Sequence, residues 1–261
     1  MLATAYVISF MGMILLPILA WIYFSHRLKL SWKLVLAGGL TFIASQIPHV
    51  PLTLALTPLF QSWGSIVYAV VLGLLAGVFE ETARFILFRF ILKKSRTWNE
   101  GVLVGLGHGG TEALILGIFA ALAFVNMLVY KNTDLSTVPS IPANQIEVAK
   151  QQVSAYWSAP VYVALLGMVE RLFAVCLHVA LSVMVLYSIA SKNSIWFWIA
   201  ILWHALIDGL AVFLGQRGLN MLALEGVIGI LAIISLWIIF ILRPSFPQQI
   251  TEPVKQERAE A

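Results

Sequence analysis

The sequence predicts an all-α membrane protein, a polytopic helical bundle with about seven transmembrane helices. Of its 261 residues, 61% are hydrophobic and only 11% are charged, and the mean hydropathy is +0.93. Soluble domains average about 45–50% apolar and about 25% charged residues. So few charges cannot cover a water-facing surface, which excludes a soluble enzyme and a disordered protein.

Seven apolar stretches reach the ~20 residues that a helix needs to cross the ~30 Å hydrocarbon core of a bilayer. They are, in order, Thr4–Phe24, Leu34–Leu56, Ser65–Leu92, Gly101–Tyr130, Ala159–Ala190, Ile195–Leu214 and Met221–Leu242. The second stretch contains Pro48, Pro51 and Pro58, and it should therefore kink or end early. The long polar connection Lys131–Trp157 is expected to be an external loop.

Lysine and arginine residues mark one side of the predicted bundle. They follow the first, third, fifth and seventh stretches, whereas the opposite side carries few of them. Because such residues concentrate in cytoplasmic loops, we expect an external N-terminus and a cytoplasmic C-terminus. The chain is then a single membrane domain over residues 1–243 with a polar cytoplasmic tail over residues 244–261. This topology accounts for the net charge of +4 without a nucleic-acid partner, and the single cysteine, Cys176, excludes an internal disulfide.

Ionisable residues inside four of the stretches indicate a functional site. A charge at the centre of a membrane helix costs at least about 2.5–3.5 kcal/mol on insertion scales, so such residues pair with each other or face a cavity. Counted from the helix ends, they lie within about two to three turns of one depth. They are Glu80, Glu81 and Arg84 in the third stretch, His108 and Glu112 in the fourth, Glu170, Arg171 and His178 in the fifth, and His204 and Asp208 in the sixth.

Spacing within the stretches places these groups on common helix faces. Residues four positions apart lie one turn above each other, and such pairs are Glu80–Arg84, His108–Glu112 and His204–Asp208. A face of small residues lets another helix backbone approach closely. One such face runs along the fourth stretch at Gly101, Gly105, Gly109, Ala113 and Gly117.

The residue types suit the activation of water. Neighbouring carboxylates in a low-dielectric site provide a general base or acid, and histidines beside carboxylates can hold zinc or donate hydrogen bonds to an oxyanion. These are the groups that amide hydrolysis needs. The same residues also fit two other interpretations, because Glu, His and Arg form proton relays in transporters and buried ion pairs often serve structure alone. No inverted repeat of the transporter kind is visible in the sequence.

Four short motifs follow one another along these stretches: Phe79–Arg84, His108–Ala113, Glu170–Arg171 with His178, and Trp203–Asp208. Their order resembles the bacterial YhfC family of predicted intramembrane metalloproteases, which is distantly similar to PrsW and to the CAAX-prenyl endopeptidase (CPBP, Abi) group. The resemblance implies a multi-pass protein of the bacterial cytoplasmic membrane. It also implies that Glu80 or Glu81 activates water, with Arg84 as the basic residue that follows.

In the CAAX-type group, the late motif helps to bind the oxyanion, and the resemblance carries that role to His204 and Asp208. The middle motif is different here. The middle histidine of the group follows a phenylalanine at position i−4, whereas Val104 precedes His108 and Ala174 precedes His178. Either histidine can therefore fill that role.

We therefore predict an intramembrane endopeptidase that acts, within membrane lipid, on a membrane protein or a lipidated peptide. Its site is expected to open toward the cytoplasmic half of the bilayer. The predicted catalytic residues are Glu80, Glu81, His108, His178, His204 and Asp208; the supporting residues are Arg84, Glu112, Glu170 and Arg171; and zinc, if bound, is held by His108, His178 and His204. The alternatives are a proton-coupled transporter and a non-catalytic scaffold or immunity protein.

Overall fold

The computed structural model describes residues 1–246. These residues form eight α-helices and no strand. The helices are α1, Leu2–Leu28; α2, Lys33–Gln61; α3, Ser65–Ile86; α4, Trp98–Lys131; α5, Ile146–Ser158; α6, Val161–Ala190; α7, Ile195–Gln216; and α8, Met221–Leu242. A π-helical turn, Leu87–Ile91, extends α3. All except α5 are long and apolar enough to cross a membrane.

Each predicted stretch corresponds to one of these seven long helices, so the all-helical membrane fold is confirmed. The second helix does not end early, because α2 runs through Pro48, Pro51 and Pro58 to Gln61. Prolines are tolerated in membrane helices since neighbouring helices and hydroxyl side chains satisfy the backbone groups that they free. The predicted tail lies almost entirely outside the described residues, which end at Phe246.

The connection predicted as an external loop contains the helix α5. Aromatic contacts hold this helix against α1 and α4. The rings of Tyr6 and Tyr156 stack with centroids 4.2 Å apart, and the Tyr6 hydroxyl donates to the Tyr156 carbonyl at 3.0 Å. The indole N–H of Trp157 donates to the Met127 carbonyl at 2.9 Å. These are tertiary contacts, which the polar composition of the segment does not reveal.

The ends of the long helices define two faces of the bundle. The face that carries residues 29–32, 92–97 and 191–194 is called the basic face below. The face that carries residues 62–64, 132–160 and 217–220 is called the loop face. The long helices alternate in direction. Residues at the same depth therefore lie near the N-terminal half of one helix and the C-terminal half of the next.

Small residues bring α4 and α6 into close contact. A Cβ atom at Gly105 would lie 2.5 Å from the Cα of Val179 and 2.9 Å from the carbonyl oxygen of His178. One turn further on, a Cβ atom at Gly109 would lie 2.8 Å from the Cβ of His178. Since no larger side chain fits there, the small-residue face of α4 is a packing surface. It places His178 beside the polar side chains of α4.

Glycines of α3 produce a similar approach to α7. A Cβ atom at Gly77 would lie 2.6 Å from the carbonyl oxygen of Ile201, and one at Gly73 would lie 2.9 Å from the backbone nitrogen of Gly209. The two backbones therefore pack closely, with the glycines one turn apart. This contact sets the paired glutamates of α3 opposite His204 of α7.

The most deeply buried part of the apolar core lies between the charged residues and the basic face. Its members include Phe88, Leu103, Leu181, Met184 and Leu186, none of which has exposed surface. They belong to one cluster that joins the π-helical turn, α4 and α6. Phe88 follows Arg84 on the α3 side, Leu103 precedes His108 on α4, and Leu181 follows His178 on α6, so all of them lie between the charged residues and the basic face. This apolar layer is called the sealed apolar base below.

Candidate functional site

All ten predicted site residues belong to one continuous network of contacts. The network joins α3, α4, α6 and α7 near the middle of the bundle. Its inner members are buried: Glu80, Glu81, Arg84, His108, His178 and His204. Buried charges persist only when they are paired and hydrogen-bonded, and each inner charge here has such partners.

Glu80 holds its carboxylate between two hydrogen-bond donors. Oε1 accepts from Nε2 of Gln46 at 3.0 Å, and Oε2 accepts from Nε2 of His108 at 2.9 Å. The guanidinium of Arg84 lies 3.7 Å from the same Oε2. The carboxylate is therefore fixed in orientation from α2 and α4 and lies beside a positive charge.

Glu81 occupies a different environment from its neighbour. It is fully buried and forms an ion pair with Arg84. The Glu81 oxygen of that ion pair, Oε1, also lies 2.7 Å from Nδ1 of His204. Arg84 also reaches α6, since its Nη2 donates to Nδ1 of His178 at 2.7 Å. Glu81 thus neutralises Arg84 and fixes the ring of His204.

A second arm of the network leads from His178 toward the loop face. Nε2 of His178 lies 2.5 Å from Oε2 of Glu112, although that oxygen makes no aligned hydrogen bond. The other oxygen of Glu112 accepts from Nη1 of Arg171 at 2.6 Å. Nη2 of Arg171 then lies 2.5 Å from Oε1 of Glu170.

His204 lies between two carboxylates. Its Nδ1 faces Glu81, and its Nε2 lies 3.3 Å from Oδ2 of Asp208, one turn further along α7. The side chain of Asp208 is 41% exposed, whereas that of Glu81 is fully buried. The buried carboxylate of Glu81 therefore fixes the ring at Nδ1, and the more exposed carboxylate of Asp208 faces Nε2.

A cavity of about 100 Å³ lies beside this network. Glu80, His178 and His204 line its inner part, and Glu170 and Asp208 line the part nearer the loop face. Glu81 does not contribute to this lining. Of the two adjacent glutamates, Glu80 is therefore the one that contacts the cavity.

The direction of this opening differs from the prediction. The sequence placed the opening on the half that carries the basic loops, but the cavity extends through α6, α7 and α8 toward the loop face. The reason is the sealed apolar core, in which residues such as Leu103 and Leu181 have no exposed surface.

Gln46 is a site residue that the sequence reasoning missed. It carries no charge, so its position in an apolar helix attracted no attention, although an amide inside a membrane helix is itself a polar group that needs a partner. Its Oε1 lies 3.2 Å from Nδ1 of His49, and the His49 ring stacks on Phe79 at 5.7 Å. His49 therefore supports Gln46.

One group of buried side chains has the composition of a metal site. Potential ligand atoms of Glu80, His178 and His204 all lie within 4.8 Å of one another. One carboxylate and two imidazoles form a donor set that zinc enzymes use. In the predicted set His108 stood in place of Glu80, but His108 instead directs Nε2 to the Glu80 carboxylate. Hydrogen bonds from neighbouring residues to metal ligands are usual in such sites.

These features define a polytopic membrane protein with a glutamate–histidine centre buried among its helices and suited to a divalent metal. The chain belongs to the YhfC intramembrane metalloprotease family, whose model matches residues 12–230, as the motifs predicted. It is similar to the uncharacterized membrane protein YhfC of Bacillus subtilis (strain 168), with 29% identity over 246 residues, 86% of this chain and 90% of the relative. No solved structure matches it significantly.

Proposed function

We propose that this protein is an intramembrane endopeptidase, similar in its chemistry to the CAAX proteases. The observation that carries the proposal is the position of Glu80, an oriented carboxylate at the inner end of a polar cavity. Membership in a family described as intramembrane metalloproteases supports it. A carboxylate held in this way can take a proton from water as the water attacks a peptide carbonyl.

Glu80 is the proposed general base rather than Glu81. Each oxygen of a carboxylate can accept two hydrogen bonds, so Gln46 and His108 leave room for a water on the cavity side. General-base catalysis by a positioned side chain contributes about 10²–10⁴-fold. Glu81 has no such access, because it is fully buried against Arg84.

His204 is the proposed donor to the oxyanion that forms when water adds to the carbonyl. Carboxylates face both ring nitrogens, Glu81 at Nδ1 and Asp208 at Nε2, so the ring would act as an imidazolium whose Nε2–H points toward the cavity. A preorganised donor in a site of low dielectric is worth about 10²–10³ in kcat. Asp208 assists by orienting the ring, and His178 performs a similar positioning role between Arg84 and Glu112.

Glu80, His178 and His204 would hold a zinc ion, because they supply the required donor types at short separations. His178 would coordinate only after one of its ring nitrogens is released from Arg84 or Glu112. When bound, zinc would acidify its water and polarise the substrate carbonyl, and Glu80 would then be a ligand instead of the base. His108 and Glu81 would orient these ligands through their hydrogen bonds. The zinc content of the purified protein separates the two versions.

The proposed substrate is a membrane protein or a lipidated peptide, since both can present a peptide bond within the lipid bilayer. We place the protein in the cytoplasmic membrane of a bacterium, with its N-terminus outside and its C-terminus inside. This orientation follows from the concentration of lysine and arginine at the basic face, which such proteins keep in the cytoplasm.

Mass spectrometry of protein N-termini tests the proposal. Cells would express either the wild type or the Glu80→Gln variant at matched levels in the membrane. We expect new N-termini near membrane segments of other proteins with the wild type alone. The matched control is Glu147→Gln, which removes a carboxylate that is 78% exposed on α5, and it should give the wild-type profile.

Identical profiles from all three proteins, each folded and present in the membrane, would overturn the peptidase. That outcome would favour a transporter or a non-catalytic scaffold. A profile in which Glu147→Gln also loses the new N-termini would show that the loss is not specific to the proposed site.

A further inference from the structure

Hydrolysis inside a membrane needs a route for water, and the charged residues of the bundle mark one. We infer that water reaches Glu80 from the loop face, through a vestibule lined by Glu112, Glu170, Arg171 and Asp208. This inference rests on the proposed function, since the proposed peptidase consumes water. The site would then be hydrated from one side of the membrane, that of the loop face.

The first support is a difference in exposure along the ionic contacts of the vestibule. His178, Glu112, Arg171 and Glu170 contact one another in that order at 2.5–2.6 Å. The exposed fraction of their side chains is 4% at His178, 19% at Glu112, 13% at Arg171 and 44% at Glu170. The inner end of these contacts is therefore closed, and the end nearest the loop face is the most exposed.

The second support is the depth of the open carboxylates. Glu170 lies nine positions beyond Val161, the loop-face end of α6, or about 14 Å at ~1.5 Å per residue. Asp208 lies eight positions before Gln216, the loop-face end of α7, or about 12 Å by the same rise. These depths fall inside a ~30 Å hydrocarbon core. Charged groups exposed there face water-filled cavities rather than lipid.

The third support is a buried carboxylate oxygen of the vestibule that makes no aligned hydrogen bond among the described residues. It is Oε2 of Glu112, whose contact with Nε2 of His178 does not have the alignment of a hydrogen bond. Buried polar atoms of this kind are usually satisfied by ordered water. The cavity of about 100 Å³ exceeds the space that a single water molecule needs, so the vestibule has both the room and an acceptor.

The core directly beneath the site, toward the basic face, is closed. Two larger cavities extend nearer to that face, one between α1, α2 and α4 and one between α2 and α3, but none of the ten site residues lines either of them. Within the part of the chain that the structure describes, Phe88, Leu103, Leu181 and Met184 have no exposed surface and pack in one cluster below the site. Apolar packing of this density has no space for a water column. The loop face is therefore the side from which water enters.

Cysteine labelling in sealed membrane vesicles tests this route on the full-length chain. Cys176 is the single native cysteine, so Cys176→Ala provides the background. Ala174→Cys on α6 and Ala211→Cys on α7 each place a thiol in the vestibule lining. Two positions on different helices keep the test valid if one variant fails to fold. The probe is a charged, membrane-impermeant maleimide applied to each side of the vesicles in turn.

Three further variants calibrate the labelling. Ser140→Cys reports the loop face and Asn193→Cys reports the basic face, because both positions are exposed turns. Leu202→Cys is the matched lipid-facing control on α7, where the native leucine is 61% exposed. Because maleimide reacts with the thiolate, which needs water, we expect the vestibule thiols to react at least about tenfold faster than the Leu202→Cys thiol.

Labelling of Ala174→Cys or Ala211→Cys from the same side as Ser140→Cys supports the vestibule. Labelling from the side of Asn193→Cys alone overturns it. Rates equal to that of Leu202→Cys from both sides also overturn it. The readout does not depend on catalysis, so failure of the route is distinguishable from failure of the proposed peptidase, which the N-terminal profiles report separately.

Discussion

Nε2 of Gln46 lies 3.0 Å from Oε1 of Glu80, although the two residues belong to different helices. The amide is held from its other end as well, because His49 contacts its oxygen at 3.2 Å. The free rotation of both side chains is therefore restricted. Within the proposed function, Gln46 is a positioning residue that fixes the angle at which Glu80 faces the cavity.

Replacing this amide should lower turnover more than substrate binding. A hydrogen bond to a charged group is worth about 1.5–3 kcal/mol, so Gln46→Leu should reduce kcat about 10- to 100-fold while KM changes little. Cleavage of an identified substrate by the purified protein measures both constants. The control is Gln152→Leu on the exposed surface of α5. Unchanged kcat in Gln46→Leu would contradict the role.

The two adjacent glutamates should respond differently to the same substitution. Glu81→Gln leaves the buried Arg84 without its main counter-charge, and breaking such a pair costs about 3–5 kcal/mol. Glu80→Gln removes a charge at the edge of a cavity, so it should abolish cleavage while the unfolding temperature changes little. Thermal unfolding in detergent compares the two variants. Equal unfolding temperatures would contradict the distinction between a structural and a catalytic glutamate.

Close packing of α4 on α6 should tolerate no added methyl group at Gly105. Its Cβ atom would lie 2.5 Å from the Cα of Val179, and overpacking typically costs about 1–3 kcal/mol. We expect Gly105→Ala to lower the unfolding temperature and to reduce cleavage by shifting His178. Gly226→Ala on α8 is the matched control, because no atom lies within 4 Å of its Cβ position. Equal stability of the two variants would argue against this interface.

Metal analysis of the purified protein should separate the two versions of the chemistry. If zinc serves the reaction, the wild type should carry about one zinc per chain, as a single three-ligand site allows. His178→Ala and His204→Ala should lose it, whereas His108→Ala should retain most of it because His108 lies outside the ligand group. Elemental mass spectrometry measures the content directly. A wild type without zinc that still cleaves its substrate would leave Glu80 as the base.

Much of the fold was predictable because a bilayer sets the length of each spanning helix and makes every buried charge costly. Runs of about 20 apolar residues mark spanning helices, and each buried charge is costly enough to stand out. All ten predicted site residues consequently fall into one network of contacts. The helix α5 was missed because the contacts of Tyr156 and Trp157 with α1 and α4 are tertiary.

The sequence does not reveal which of the site residues contact one another or which of them face the cavity. Whether Glu80 or Glu81 faces the cavity depends on the rotation of α3, which is set by the contact of Gly77 with Ile201 of α7. Gln46 was missed because an uncharged amide is a weak signal in an apolar stretch. The direction of the opening depends on where the core packs most tightly, and such packing is a property of all the helices together.

Within the proposed location in a bacterial cytoplasmic membrane, the sealed apolar base beneath the site also bears on the energy supply of the cell. Such a membrane maintains an electrochemical gradient, and one charge that moves through 100 mV releases about 2.3 kcal/mol. A continuous file of water across the bilayer would conduct protons and dissipate that gradient. Leu103, Leu181 and their neighbours end the polar region partway through the bundle. The bundle can thus admit water to its reactive groups while it remains an electrical insulator.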